Sequence, residues 1–220
     1  MRPSRSARRR VLEAIGVTLG VGVISGRVLA AIEPGKQYQL VKTQQAAGVA
    51  GKIEVTEFFA YTCPHCFHLE PTIAAWTKKL PDGVIFQRMP IALTASSLPL
   101  VRTFFTLQAM GMLDQMHMRV FEAVHDKKIP LVQEKVLFDW ITSQGIDSNL
   151  FSETYKSFGT EAHVRRGRAL ADAFGINSVP TLVVNGKYQT SVSMTGSAEA
   201  LPKVLDELVQ LARQETRKAP

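Results

Sequence analysis

Two cysteines are all this chain has, and they stand two residues apart in Cys63-Pro64-His65-Cys66. The run before them, Ile53 to Phe59, reads as a period-2 strand with Ile53, Val55, Glu57 and Phe59 on one face, and the run after them is helix-forming. A strand that turns directly into a helix puts the first cysteine at the helix N-terminus. There, unpaired backbone N–H groups and the positive end of the helix dipole favour a thiolate over a thiol. Pro64 suits the first helical turn, where its missing N–H costs nothing. Cys63 is therefore the candidate nucleophile and Cys66, one turn deeper, the candidate resolving thiol.

Other uses of such a pair fit less well. A zinc site takes four ligands, usually from two such pairs, and the second pair is absent, so no metal is expected unless distant histidines complete a site. Covalent haem needs His directly after the second cysteine, and that position is Phe67. A purely structural disulfide stays open as an alternative, although bridging residues so close together closes a tiny loop and gives little chain-entropy stabilisation.

The first ten residues hold five arginines and no acid, and a mostly apolar run follows from Val11 to Ser25. This predicts a secretory signal over residues 1–30, cleaved after Ala30. The apolar core is too short to span a bilayer comfortably, and Glu13 and Arg27 argue against an uncleaved anchor. The segment carries six arginines against one glutamate, so +5 of the formal +7 leaves with it and +2 remains. Nothing in that balance suggests nucleic-acid binding.

Along the rest of the chain, Tyr38 to Val41 and Val84 to Met89 read as strands, and Pro64 to Leu80 as a helix that Pro71 inside it should kink. From Ser97 to about Phe174 the apolar periods are helical, with segments over Leu100–Gly111, Met116–His125, Lys135–Ser143, Leu150–Phe158 and Glu161–Phe174. Strands return at Thr181–Val184 and Lys187–Val192 around an Asn185-Gly186 turn, and a helix from Leu201 to Gln214 closes the chain. That order predicts an α/β layer domain made of residues 32–95 and 168–220, interrupted by a helical insertion over 96–167.

With these pieces in place, the chain resembles the DsbA-type thiol-disulfide oxidoreductases, which have a thioredoxin-like fold with an inserted helical domain. The resemblance rests on Glu57-Phe58-Phe59, on Cys63-Pro64-His65-Cys66, and on Val179-Pro180 followed by Val184-Asn185-Gly186-Lys187-Tyr188. It implies that Val179-Pro180 is a cis bond lying against the cysteines and aligning substrate backbone. It also implies that the Pro64-His65 dipeptide marks an oxidant, with His65 helping to stabilise the Cys63 thiolate. Glu57 and Arg88 both sit among apolar neighbours on their strands, so a buried pair is expected. The family pattern has Glu and Lys there, tuning proton transfer; a guanidinium keeps its proton, so in this chain any relay role falls to Glu57.

His68, His117, His125 and His163 show no paired spacing and read as surface or half-buried side chains; Met110, Met112, Met116 and Met118 read as core filling, with adaptable peptide contacts as the alternative. Taken together, the resemblance implies a monomeric periplasmic oxidant of a Gram-negative bacterium. It would need no cofactor beyond its own Cys63–Cys66 disulfide, take unfolded or folding secreted proteins with free thiols as substrates, and be reoxidised by a quinone-linked inner-membrane partner of the DsbB kind. A disulfide isomerase or reductase of the same fold is the nearer alternative, and a metal-carrying thioredoxin-like protein the more distant one.

Overall fold

A computed structural model describes residues 32–45 and 48–218. The expected export signal lies outside the described residues. Among the described residues five strands form one sheet: β1 Gln39–Leu40, β2 Ile53–Phe59, β3 Val84–Pro90, β4 Thr181–Val184 and β5 Tyr188–Ser191, in the order β1-β5-β4-β2-β3. β2 runs parallel to β3 and antiparallel to β4, in a register that sets Glu57 beside Arg88 on one side and Leu182 on the other. Parallel neighbours need a crossover, which helix α1, Pro64–Thr77, supplies. Because β2 is flanked by strands and covered on both faces, its residues are buried apart from a half-exposed Glu54.

The helices between the third and fourth strands are α2 Leu98–Ala109, entered through a short 3-10 turn at Ala95–Ser97, then α3 Leu113–His125, α4 Glu134–Ser143, α5 Ser148–Tyr155 and α6 Phe158–Phe174. Their starts are chemically marked. Asp147 accepts from the N–H of Leu150 at 2.8 Å ahead of α5, and Ser157 accepts from that of Thr160 at 3.1 Å ahead of α6. The expected 167/168 division falls inside α6, which runs through it unbroken.

One face of the sheet packs on α1 and on α8, Leu201–Lys218; α8 contributes Leu201, Val204, Leu205, Leu208, Val209 and Ala212, the spacing of a single helical stripe. On the other face Phe58 meets Phe174 of α6 edge to face, ring centroids 5.8 Å apart. At the end of β2, Phe59 enters an aromatic cluster with Tyr61, Phe104, His117 and Phe121, which joins the sheet to α2 and α3. Met116 belongs to this core, and Met110, Met112 and Met118 pack against it.

The structure corrects several element ends. α1 stops at Thr77 and runs through Pro71 without a break. The fifth strand ends at Ser191, where Val192–Thr195 forms a one-turn helix, α7, closed by Gly196 at φ 86°. α8 continues past Gln214 to Lys218, because Lys187 reaches both carboxylate oxygens of Glu215 at 2.7 and 2.8 Å and ties the added turn to the hairpin.

The hairpin turn is set by left-handed backbone at Asn185, φ 53°, and Gly186, φ 63°. A Cβ on Gly186 would also lie 2.0 Å from the backbone oxygen of Gln45, whereas Gly145, φ 81°, has nothing within 4 Å of such an atom. Gly145→Ala isolates the cost of the left-handed conformation, about 1–2 kcal/mol. Gly186→Ala is expected to lose clearly more in denaturant unfolding, and equal losses would show that the Gln45 contact relaxes freely.

Candidate active site

Cys63 is the N-cap residue of α1 and Pro64 occupies its first turn, as the strand-to-helix transition requires. Both cysteines are free thiols and both are buried, Cys63 at 7% exposure and Cys66 at 1%. The Val179–Pro180 bond is cis, and Cys63 Sγ lies 3.6 Å from the Val179 carbonyl oxygen, to which the protonated thiol donates. His65 is exposed at the opening. Cys63, Cys66, His65, Val179 and Pro180, far apart in sequence, are thus brought to one end of the sheet.

The two sulfurs are unequal. The Cys63 thiol is pulled down to about 6, first by the S–H of Cys66 donating to its sulfur, then by the backbone N–H groups of Cys66 and His65, against the opposing effect of burial. The charge of His65 adds the smallest share. Cys66 is pushed far up by that same hydrogen bond, then by burial, with the charges of Cys63 and Glu57 adding. One sulfur is therefore anionic near neutral pH while the other holds its proton.

Behind Cys66 lies a buried polar cluster larger than the expected pair. Arg88 Nε stands 3.5 Å from Glu57 Oε2, but its Nη2 hydrogen-bonds Glu70 Oε1. The second Glu70 oxygen faces His117 Nε2 at 3.3 Å, and His117 Nδ1 pairs with the Tyr61 hydroxyl at 2.8 Å. Burial pushes Glu57 up to about 8, the Glu70 charge adding and Arg88 opposing. His117 is pushed down by burial, against the pull of Glu70.

Sequence reading did not single out Glu70 or Tyr61, and it placed His117 at or near the surface; His117 is 6% exposed. A signal was present for two of them. Glu70 follows Cys66 by four residues on the helix face shared by Leu69 and Ile73, where an acid is out of place. His117 and His125 are two turns apart on α3, hence on one face, and both engage Tyr61: His125 Nε2 lies 2.8 Å from its backbone oxygen while its ring stacks on Phe67. His68 and His163 are exposed.

The model of the DSBA-like thioredoxin domain matches residues 54–208. The chain belongs to the DsbA-like family. Over 201 residues it is 36% identical to the thiol:disulfide interchange protein DsbA of Burkholderia cepacia, covering 91% of this chain and 93% of that one. Over 181 residues it is 38% identical to the DsbA of Bordetella pertussis, covering 81% and 86%. Among solved structures, Pseudomonas aeruginosa DsbA superposes with a TM-score of 0.79 at 36% identity, covering 83% of this chain and 95% of that one. The oxidoreductase NmDsbA1 of Neisseria meningitidis gives 0.77 at 28%, covering 86% and 97%. The thioredoxin-like α/β fold expected from the sequence is thus the fold of this DsbA-like chain.

A lowered thiol changes how stability depends on pH. Folding depresses the Cys63 value from 9.0 to about 6, so the reduced form gains stability that is full above the unfolded value and is lost as pH falls through the folded one. Cys66 stays protonated, folded or unfolded, below 9.0 and adds nothing in that window. The disulfide form has no such titration. Denaturant unfolding of both forms between about pH 6 and pH 9 should show reduced-minus-oxidised stability rising, with a slope approaching about 1.4 kcal/mol per pH unit. A flat difference would mean that Cys63 is an ordinary thiol.

Proposed function

We propose that this DsbA-like thiol:disulfide oxidoreductase acts as an oxidant, passing its Cys63–Cys66 disulfide to thiol-bearing proteins that have been exported to the periplasm of a Gram-negative bacterium. The observation that carries the reading is the inequality of the two sulfurs. Folding stabilises the Cys63 thiolate, and with it the reduced enzyme, so the disulfide is a ready electron acceptor and Cys63 a good leaving group.

The steps balance as follows. A substrate thiolate attacks Cys63 Sγ, the Cys63–Cys66 bond breaks, and Cys66 leaves and takes up a proton. A second substrate thiolate then attacks the substrate sulfur of the mixed disulfide. Cys63 departs as a thiolate, the substrate leaves oxidised by two electrons, and the enzyme is left as the dithiol. A groove of about 440 Å³ beside the sulfur, lined by His65, Leu69, Val179, Pro180 and Val192, offers room for a peptide, with Val179 presenting backbone to it. Reoxidation falls to a quinone-linked membrane partner of the DsbB kind, a role read from the family. No helix among the described residues is long and apolar enough to cross a membrane.

Cys66→Ser keeps Cys63 without a resolver; with Cys63 first converted to its mixed disulfide by oxidised glutathione, it is expected to accumulate mixed disulfides with reduced, unfolded substrate proteins as their thiolates displace glutathione, whereas Cys63→Ser treated the same way should trap none. Mass spectrometry of the adducts checks this. Equal trapping by both variants would reverse or remove the assignment.

A further inference from the structure

Behind Cys66, the half-buried guanidinium of Arg88 faces two buried carboxyls, one more acid than it can match. Arg88 is a permanent cation, and Glu57 and Glu70 are both carboxyls, buried at 1% and 6% exposure. Two carboxylates against one guanidinium leave a net negative charge in a low-dielectric interior, which a single extra proton removes. The hydrogen bonds show where the guanidinium goes. Arg88 Nη2 is bonded to Glu70, while Arg88 Nε and Glu57 Oε2, 3.5 Å apart, find no hydrogen-bond partner among the described residues, and neither does His117 Nε2.

His117 engages Glu70 from the other side. The Tyr61 hydroxyl, 2.8 Å from Nδ1, is the natural donor to it, since a bare Nε2 lone pair facing a carboxylate would be repelled. The ring proton then sits on Nε2, 3.3 Å from Glu70 Oε2. We propose that His117, by holding this N–H 3.3 Å from Glu70 Oε2, close enough to act on its charge though not aligned as a hydrogen bond, keeps Glu70 ionised and leaves the extra buried proton on Glu57.

The charge of Glu57 pushes the Cys66 thiol up. The proposal rests on Cys66 being the resolving thiol. When the disulfide opens, the departing Cys66 sulfur needs a proton, Glu57 holds one, and the resulting carboxylate regains it from water. His117 touches neither sulfur nor substrate, and is a positioning residue. The charged and titratable groups around it are Glu70 from α1, Arg88 from β3, Tyr61 from the loop before Cys63 and Asp114 from α3 itself; Glu57 faces Glu70, Arg88 and Cys66. Phe59, Phe104 and Phe121 complete the surroundings of the imidazole.

Carbon-13 carboxyl NMR titration of the reduced full-length protein tests this, with Glu57 and Glu70 assigned through Glu57→Gln and Glu70→Gln. Wild-type protein should show Glu57 protonated and Glu70 ionised at neutral pH. His117→Phe keeps a ring but removes the N–H, and should move the proton to Glu70, so that Glu57 ionises at lower pH. His117→Gln, whose amide N–H can replace Nε2–H, should restore the wild-type pattern. Unchanged carboxyl states in His117→Phe would overturn the proposal. So would a protonated Glu70 in the wild type, a measurement that needs no variant at position 117. The titration does not depend on exchange activity, so its failure is separate from a failure of Cys66→Ser to trap substrate.

Discussion

The inequality of the Cys63 and Cys66 sulfurs is the constraint on which the rest of this site turns. Each acts on the other, lowering the Cys63 thiol and raising the buried Cys66 thiol, so that two chemically identical side chains become a leaving group and a proton holder. The helix start supplies the remaining donors through the N–H groups of His65 and Cys66, which no side chain caps. A thiolate here has lost the proton it would otherwise offer to Val179. That carbonyl is then free to accept from another donor.

The helices between β3 and β4 also shape this chemistry. Tyr61, two residues before Cys63, is held at its hydroxyl by His117 and at its backbone oxygen by His125, both from α3. Phe67, on the first turns of α1, stacks on His125 with planes 9° apart. The loop that delivers Cys63 is therefore positioned from α3 as well as from the sheet. The same histidine that holds Tyr61 reaches Glu70, so the packing of the helices and the charge behind the sulfurs are set by shared side chains.

Local chemistry was legible in the sequence wherever it is written in neighbouring residues. Alternation along Ile53–Phe59, the proline after Cys63, the Asn185-Gly186 turn and the stripe on Leu201–Lys218 each encode an element through short-range rules. The approach of Glu57 to Arg88 was legible too, because both stand on the face of their strands that looks toward α1. The preference of Arg88 for Glu70 was not, since it depends on how a helix crosses the sheet. His117 looked unremarkable because its partners, Tyr61 and Glu70, lie in other elements and only the tertiary fold brings them to it. The end of α8 shifted for the same reason: the contact of Lys187 with Glu215 is long-range.

The most direct test of the account is the equilibrium of the Cys63–Cys66 couple with glutathione at neutral pH. A folded state that favours the Cys63 thiolate makes the couple more oxidising, and the account predicts that it exceeds glutathione, so that the enzyme is found largely reduced in buffers where glutathione itself is still mostly oxidised. An enzyme that remains largely oxidised under those conditions would contradict the account and mark the chain as a reductant.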